Sequence, residues 1–115
     1  MAESLIYHMC RRVEWQAAER AGLYRGSSQD AADGFIHFST AAQIEGSAAK
    51  HRAGQDDLVL IAVDPAALGE ALRWESARAG MLFPHLYGAL PLDCVRWTKP
   101  LPLDAAGRHV FPTLE

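Results

Sequence analysis

The chain has 115 residues, half of them apolar, which suits one domain over 1–115 and leaves too little for two. Its formal charge of −3 lacks the basic excess with which a protein grips nucleic acid through phosphates. Cys10 and Cys94 have no CxxC or metal-ligand spacing and no apolar run approaches bilayer length, so the expectation is a reducing, cytoplasmic setting without membrane or nucleic-acid partners.

In chain order, Leu5–Met9 is a compact apolar run that predicts a first strand. The segment from Arg11 to Ala21 places Val13, Ala17 and Ala21 at helical spacing before Gly22, and mixes Arg11 and Arg12 with Glu14 and Glu19 as a solvated face does. From Leu23 to Asp33, Gly26, Ser27, Ser28, Asp30 and Asp33 favour a loop or a short helix, well placed to cover a site.

Phe35, Ile36 and Phe38, bounded by Asp33-Gly34 and Ser39-Thr40, predict a short strand. Simple alternation puts Phe35, His37 and Ser39 on one face. Thr40-Ala41-Ala42-Gln43 fits a capping box, so a helix is expected from Thr40 to His51 or Arg52, ending at Gly54 with Gly46 a weak point inside it. Its N-terminus near His37 offers a place for an anion such as phosphate, although Thr40 and Gln43 serve equally as caps. His37 itself reads either as a site residue or as a core histidine satisfied by backbone.

Leu58–Val63 is a continuous apolar run, as in a central strand buried on both faces, and Asp64-Pro65 opens a turn through Leu68. Leu72–Glu75 and Cys94–Trp97 predict further strands, while the prolines from Pro84 to Pro112 argue for irregular connections. Within these, Phe83-Pro84-His85-Leu86-Tyr87-Gly88 predicts a Pro-fixed turn followed by an imidazole and a phenol two residues apart. Glu75, beside Trp74 and three residues before Arg78, is the most suggestive carboxylate. There is no GxGxxG, Walker loop, HExxH or GxSxG, and His37, His85 and Glu75 lack a metal-ligand spacing, which leaves an organic small molecule as the expected ligand.

Gly34–Thr40, Gln55–Leu60, Arg73–Glu75 and Phe83–Gly88 together resemble the small bacterial domain-of-unknown-function 952 family over almost the whole chain. The resemblance implies an α+β domain with an ADP-ribosyltransferase-like, mixed split β-sheet and two main helices. It also implies binding of NAD or a related nucleotide without a Rossmann motif. In transferases of the His-Tyr-Glu type a strand histidine holds a ribose hydroxyl, a tyrosine stacks on nicotinamide and a late glutamate orients the other ribose. His37 matches the first role and Tyr87 the second; Glu75 precedes Tyr87, out of the family's order, and only Asp93, Asp104 and Glu115 follow.

The expected function is therefore a pocket for an NAD- or ADP-ribose-like ligand with glycosyl or ADP-ribosyl transfer as the implied reaction. A non-catalytic binding or regulatory module and a small hydrolase using His37 or His85 as general base are the alternatives. The expected catalytic residues are His37, His85 and Glu75. Ser39, Thr40, Tyr87 and Arg78 are the expected ligand contacts, with no metal, and the oligomeric state is left open.

Overall fold

The apolar run after Leu5 folds as strand β1 (Ile6–Arg11) in the computed structural model, which describes residues 4–77 and 80–114. Helix α1 (Arg12–Ala21) follows and stops at Gly22, whose left-handed φ of 80° lets its N–H return to the carbonyl of Ala18. Strand β2 (Leu23–Tyr24) leads to the short helix α2 (Ser28–Asp33). Strands β3 (Ile36–His37) and β4 (Ser39–Thr40) precede helix α3 (Ile44–His51) and strand β5 (Leu58–Val63). A 3₁₀ segment (Pro65–Ala71) joins β5 to β6 (Leu72–Ser76); then come β7 (Leu82–Leu86), β8 (Leu90–Pro91), a 3₁₀ turn (Leu92–Cys94) and β9 (Val95–Leu101).

Together these form a single α+β domain with three sheets, ordered β4-β1-β5-β9, β3-β7-β6 and β2-β8. The described pairings are antiparallel, where a mixed sheet was expected. Composition tells that strands exist, and the return paths of the connections, which set direction, are not written in it. The β5 strand is buried along its whole length and lies between β1 and β9, as its unbroken apolar run requires. Period-two alternation splits β1 and β5 between two layers. Ile6, Cys10, Val59, Ile61 and Val63 pack with Trp15, Ile36, Phe38 and Leu86 on one side, and Tyr7, Met9, Leu58, Leu60 and Ala62 pack with Ile44 and Ala48 of α3 on the other.

Three expectations change. The strand expected over Phe35–Phe38 breaks at Phe38: Ile36 and His37 pair with Leu86 and His85 of β7, whereas Ser39 and Thr40 pair with Tyr7 and Ile6 of β1. The chain thus passes from one sheet to the other at Phe38, whose N–H bonds the carbonyl of Pro84 at 2.9 Å. Helix α3 begins at Ile44, not Thr40, because Thr40 is committed to β4. Half of the expected box survives as a turn, with the Thr40 N–H donating to Gln43 Oε1 at 3.1 Å. The segment Phe83–Leu86, expected as a turn, lies in β7, where Pro84 faces Trp74 of β6.

Candidate functional site

His37 and His85 are directly opposed across β3 and β7, with ring centroids 5.5 Å apart. Each ring is held at Nδ1 by a carboxylate. His85 Nδ1 donates to Glu75 Oε1 at 2.8 Å, and His37 Nδ1 donates to Asp30 Oδ1 at 2.6 Å. Phe35 stacks on the His85 ring with centroids 4.1 Å apart and also touches the His37 ring. Both imidazoles line a cavity of about 410 Å³ formed where the two sheets part, together with Ser39, Phe38, Phe83 and Arg52. Four of the chain's five histidines, His8, His37, His51 and His85, face this one space.

Asp30 anchors the arrangement. Ser27 caps α2 and donates its Oγ–H to Asp30 Oδ2 at 2.9 Å, while Asp30 accepts from the Ser27 N–H at 2.6 Å and from the His37 N–H at 3.1 Å. Burial works to raise the Asp30 pKa, but the His37 hydrogen bond and the surrounding N–H groups outweigh it and hold the carboxyl well below its usual range. The His37 pKa moves upward, chiefly through its bond to Asp30, with burial opposing and the nearby Asp33 adding. Its Nε2 lies 3.0 Å from Asp33 Oδ2. Two carboxylates on two ring nitrogens favour the imidazolium.

His8, on β1, forms the floor. Its Nδ1–H donates to the carbonyl of His37 at 2.6 Å, which leaves Nε2 of the neutral ring to accept the Tyr24 hydroxyl at 2.6 Å. Burial pushes its pKa downward, favouring the neutral ring, where the carboxylates beside His37 favour the charged one. On the other side of the site Glu75 Oε1 also accepts the Tyr87 hydroxyl at 2.7 Å. Hydrogen bonds from His85 and Tyr87 hold the Glu75 carboxyl below its ordinary pKa. Among the described residues nothing bonds Nε2 of His85. The chemical capability is therefore paired: two facing rings, each held at Nδ1 by a carboxylate, with both nitrogens of His37 on carboxylates and the Nε2 of His85 left for a ligand.

Of the residues singled out in the sequence, His37, His85 and Ser39 line the cavity. Ser39 Oγ is bonded to Ser47 Oγ of α3 at 2.8 Å. Glu75 and Tyr87 stand behind His85 rather than in the cavity wall, and the Tyr87 ring is covered by the Arg73 guanidinium at 5.0 Å and by Phe35. Thr40 lies in a different surface depression beside Trp74. Arg78 falls outside the described residues. Sequence reasoning missed Asp30, His8 and Arg52. A signal existed for the first, since Ser27-Ser28-Gln29-Asp30 is a capping-box spacing, and for the second, the one imidazole inside the apolar Leu5–Met9 run. Among the described residues no group of three His, Cys, Asp or Glu is placed to hold a metal.

The chain is similar to protein CC0527 of Caulobacter crescentus. The crystal structure of CC0527 shares 47 % identity with it at a TM-score of 0.89, covering 93 % of this chain and 94 % of that one. The solution structure of the same protein gives a TM-score of 0.82 at 47 % identity, covering 92 % and 91 %. No curated protein matches the sequence. The model of the family described as "Protein of unknown function (DUF952)" matches residues 9–98, a span that takes in Asp30, His37, Arg52, Glu75 and His85, and the chain belongs to that family.

Proposed function

We propose that the cavity binds a ribonucleotide-like small molecule, of the NAD or ADP-ribose kind, and that His37 and His85 act on it as acid and base. The carrying observation is the facing pair of imidazoles, each fixed through Nδ1 by its own carboxylate, in the wall of a cavity of about 410 Å³. That volume falls within the usual range for small-ligand pockets, and an apolar wall with a few converging polar groups is their usual composition. Imidazoles and hydroxyls suit the hydroxyls of a ribose, and Phe38 and Phe83 offer apolar surface to a heterocycle.

An ADP-ribosyltransferase-like architecture accords with a chain that passes between two sheets at Phe38 and with a ligand seated where they part. Glycosyl transfer is less well served. Its oxocarbenium-like transition state needs a carboxylate beside the ribose, whereas Glu75 is engaged by His85 and Tyr87, and Asp30 by His37 and Ser27. Proton transfer by the two imidazoles is the chemistry that the geometry favours. A binding module without turnover is the second reading, favoured by the engagement of both His37 nitrogens with Asp30 and Asp33. The free thiols of Cys10 and Cys94 accord with a reducing, cytoplasmic setting.

Titration calorimetry against NAD, ADP-ribose and mononucleotides tests the binding. At least one should bind, and His37→Ala should weaken it by about 1–3 kcal/mol, as when a polar partner is left unmet. Absence of heat with all of them at millimolar concentration contradicts the proposal. Product formation from the bound ligand separates the acid–base reading from the binding module.

A further inference from the structure

Arg52 is an unusual residue for its position. It closes α3 at the C-cap and is only 5 % exposed, yet no carboxylate of the described residues lies within ion-pair distance of it. Nη1 donates to Gln55 Oε1 at 3.1 Å, and Nη2 donates to the carbonyl of Met9 at 3.1 Å and to Ser27 Oγ at 3.3 Å. All three acceptors are neutral. A guanidinium offers five N–H groups, and the described residues accept from it three times.

Neutral acceptors satisfy donors and leave the charge. Arginine is seldom buried without an anionic partner, because desolvating the cation costs several kcal/mol that only an opposite charge returns. The carboxylate nearest by connection is Asp30, reached through the Ser27 hydroxyl, and it already accepts from His37 and Ser27. Arg52 lines the same cavity as His37 and the Ser39–Ser47 hydroxyl pair. The cavity therefore carries a fixed cation that is not in direct contact with either of its lining carboxylates, Asp30 and Asp33, both of which are engaged by His37.

We propose that Arg52 is the anion-recognising group of this cavity and that it seats a phosphate group of the bound ligand. The inference rests on the ribonucleotide reading and narrows it: the ligand is a phosphorylated nucleoside, not the bare nucleoside. A guanidinium suits this task because its charge is permanent, and the hydrogen bonds it donates to Gln55, Met9 and Ser27 fix its orientation beforehand while leaving the Nε–H and one Nη1 hydrogen for an anion. The competing role is mechanical, a clamp joining α3 to the Met9 carbonyl of β1. A clamp affects stability and gives no preference for phosphate.

The test uses the intact protein with four probes: inorganic phosphate, pyrophosphate, adenosine and AMP. Thermal unfolding is followed against sodium chloride of equal ionic strength, and affinities are taken by calorimetry. Phosphate and pyrophosphate should raise the unfolding temperature above the chloride control saturably at low millimolar concentration, as mass action at one site requires and the general salting effect of phosphate does not. AMP should bind at least tenfold more tightly than adenosine, and Arg52→Gln should bring AMP down to the affinity of adenosine. The proposal is overturned if phosphate does no more than chloride while AMP and adenosine bind alike, or if Arg52→Gln keeps the wild-type preference for AMP. Should Arg52→Gln fail to fold, the wild-type comparison decides alone. Protection by phosphate and pyrophosphate without binding of AMP, NAD or ADP-ribose upholds the anion site and removes the nucleotide; equal binding of AMP and adenosine does the reverse.

Discussion

Asp30 joins more of the site than any residue suggested by the sequence alone. Its two oxygens accept from the His37 ring, the His37 N–H, and both the N–H and the hydroxyl of Ser27. Replacing it by Asn keeps the size and removes the charge on which the half-exposed His37 depends. Asp30→Asn should therefore destabilise the fold by about 2–4 kcal/mol in denaturant unfolding, the range for breaking a largely buried charged hydrogen-bond network. Loss of less than half a kcal/mol would show that the network is slack. Tyr24→Phe isolates a smaller part, removing only the hydroxyl that His8 Nε2 accepts, and should cost about 1–2 kcal/mol. His37 and His85 were legible because period-two spacing beside Ser39 and Tyr87 drew attention to them. Asp30 was not, because its partnership with His37 depends on how α2 folds back, and a capping aspartate looks the same in sequence whether or not a ring waits beside its other oxygen.

The short elements between Tyr24 and Thr40 do most of the positioning. Gly26, at φ 101°, comes so close to α2 that an added Cβ would lie 2.9 Å from Asp30 Cβ and 3.3 Å from Ile36 Cγ1. Gly26→Ala combines left-handed backbone with that clash and should cost about 1–3 kcal/mol while displacing Asp30 from His37. A raised unfolding rate together with an altered His37 titration by NMR would bear this out, and an unchanged His37 titration would contradict it. The long elements were readable for simple reasons: β5 by its unbroken apolar run and α1 by its stop at Gly22, although the face α1 buries is that of Trp15 and Ala18 while Val13, Ala17 and Ala21, expected to mark it, are exposed. Strand β7 was hidden by Pro84, which reads as a strand breaker. It is tolerated because β3 pairs only with Leu86 and His85, so on that side Pro84 contributes its carbonyl, to Phe38. The break at Phe38 was equally hidden, since strand propensity over Phe35–Thr40 says nothing about which sheet each half joins.

Taken whole, the molecule places two histidines of opposite tendency within one hydrogen-bonded network, His8 shifted toward its neutral form and His37 toward its charged form. The His37 pKa is raised, so the stability it contributes is complete below its ordinary value of 6.5 and is lost as pH rises through its folded value. The His8 pKa is lowered, so its contribution is complete above 6.5 and is lost as pH falls through its folded value. Stability should thus peak near pH 6.5, with His37→Gln flattening the alkaline limb; thermal unfolding across pH 5 to 9 checks this, and an alkaline limb unchanged in His37→Gln would refute it. A pocket with His37, His85 and Ser39 was legible in the sequence, but the coupling was not, because His8, Asp30, His37 and Arg52 meet only through the long-range pairing of two sheets. The most direct measurement of whether that meeting place is a ligand site is a long-range ¹H–¹⁵N correlation spectrum of the imidazoles during titration with ADP-ribose, NAD and AMP. His8, His37, His51 and His85 line the cavity, whereas His109 lies outside it on the carbonyl of Gln55, the residue whose side chain accepts from Arg52. The ring signals of His37 and His85 should move on titration with at least one of these ligands; no movement of either ring at millimolar ligand would contradict a nucleotide site in this cavity.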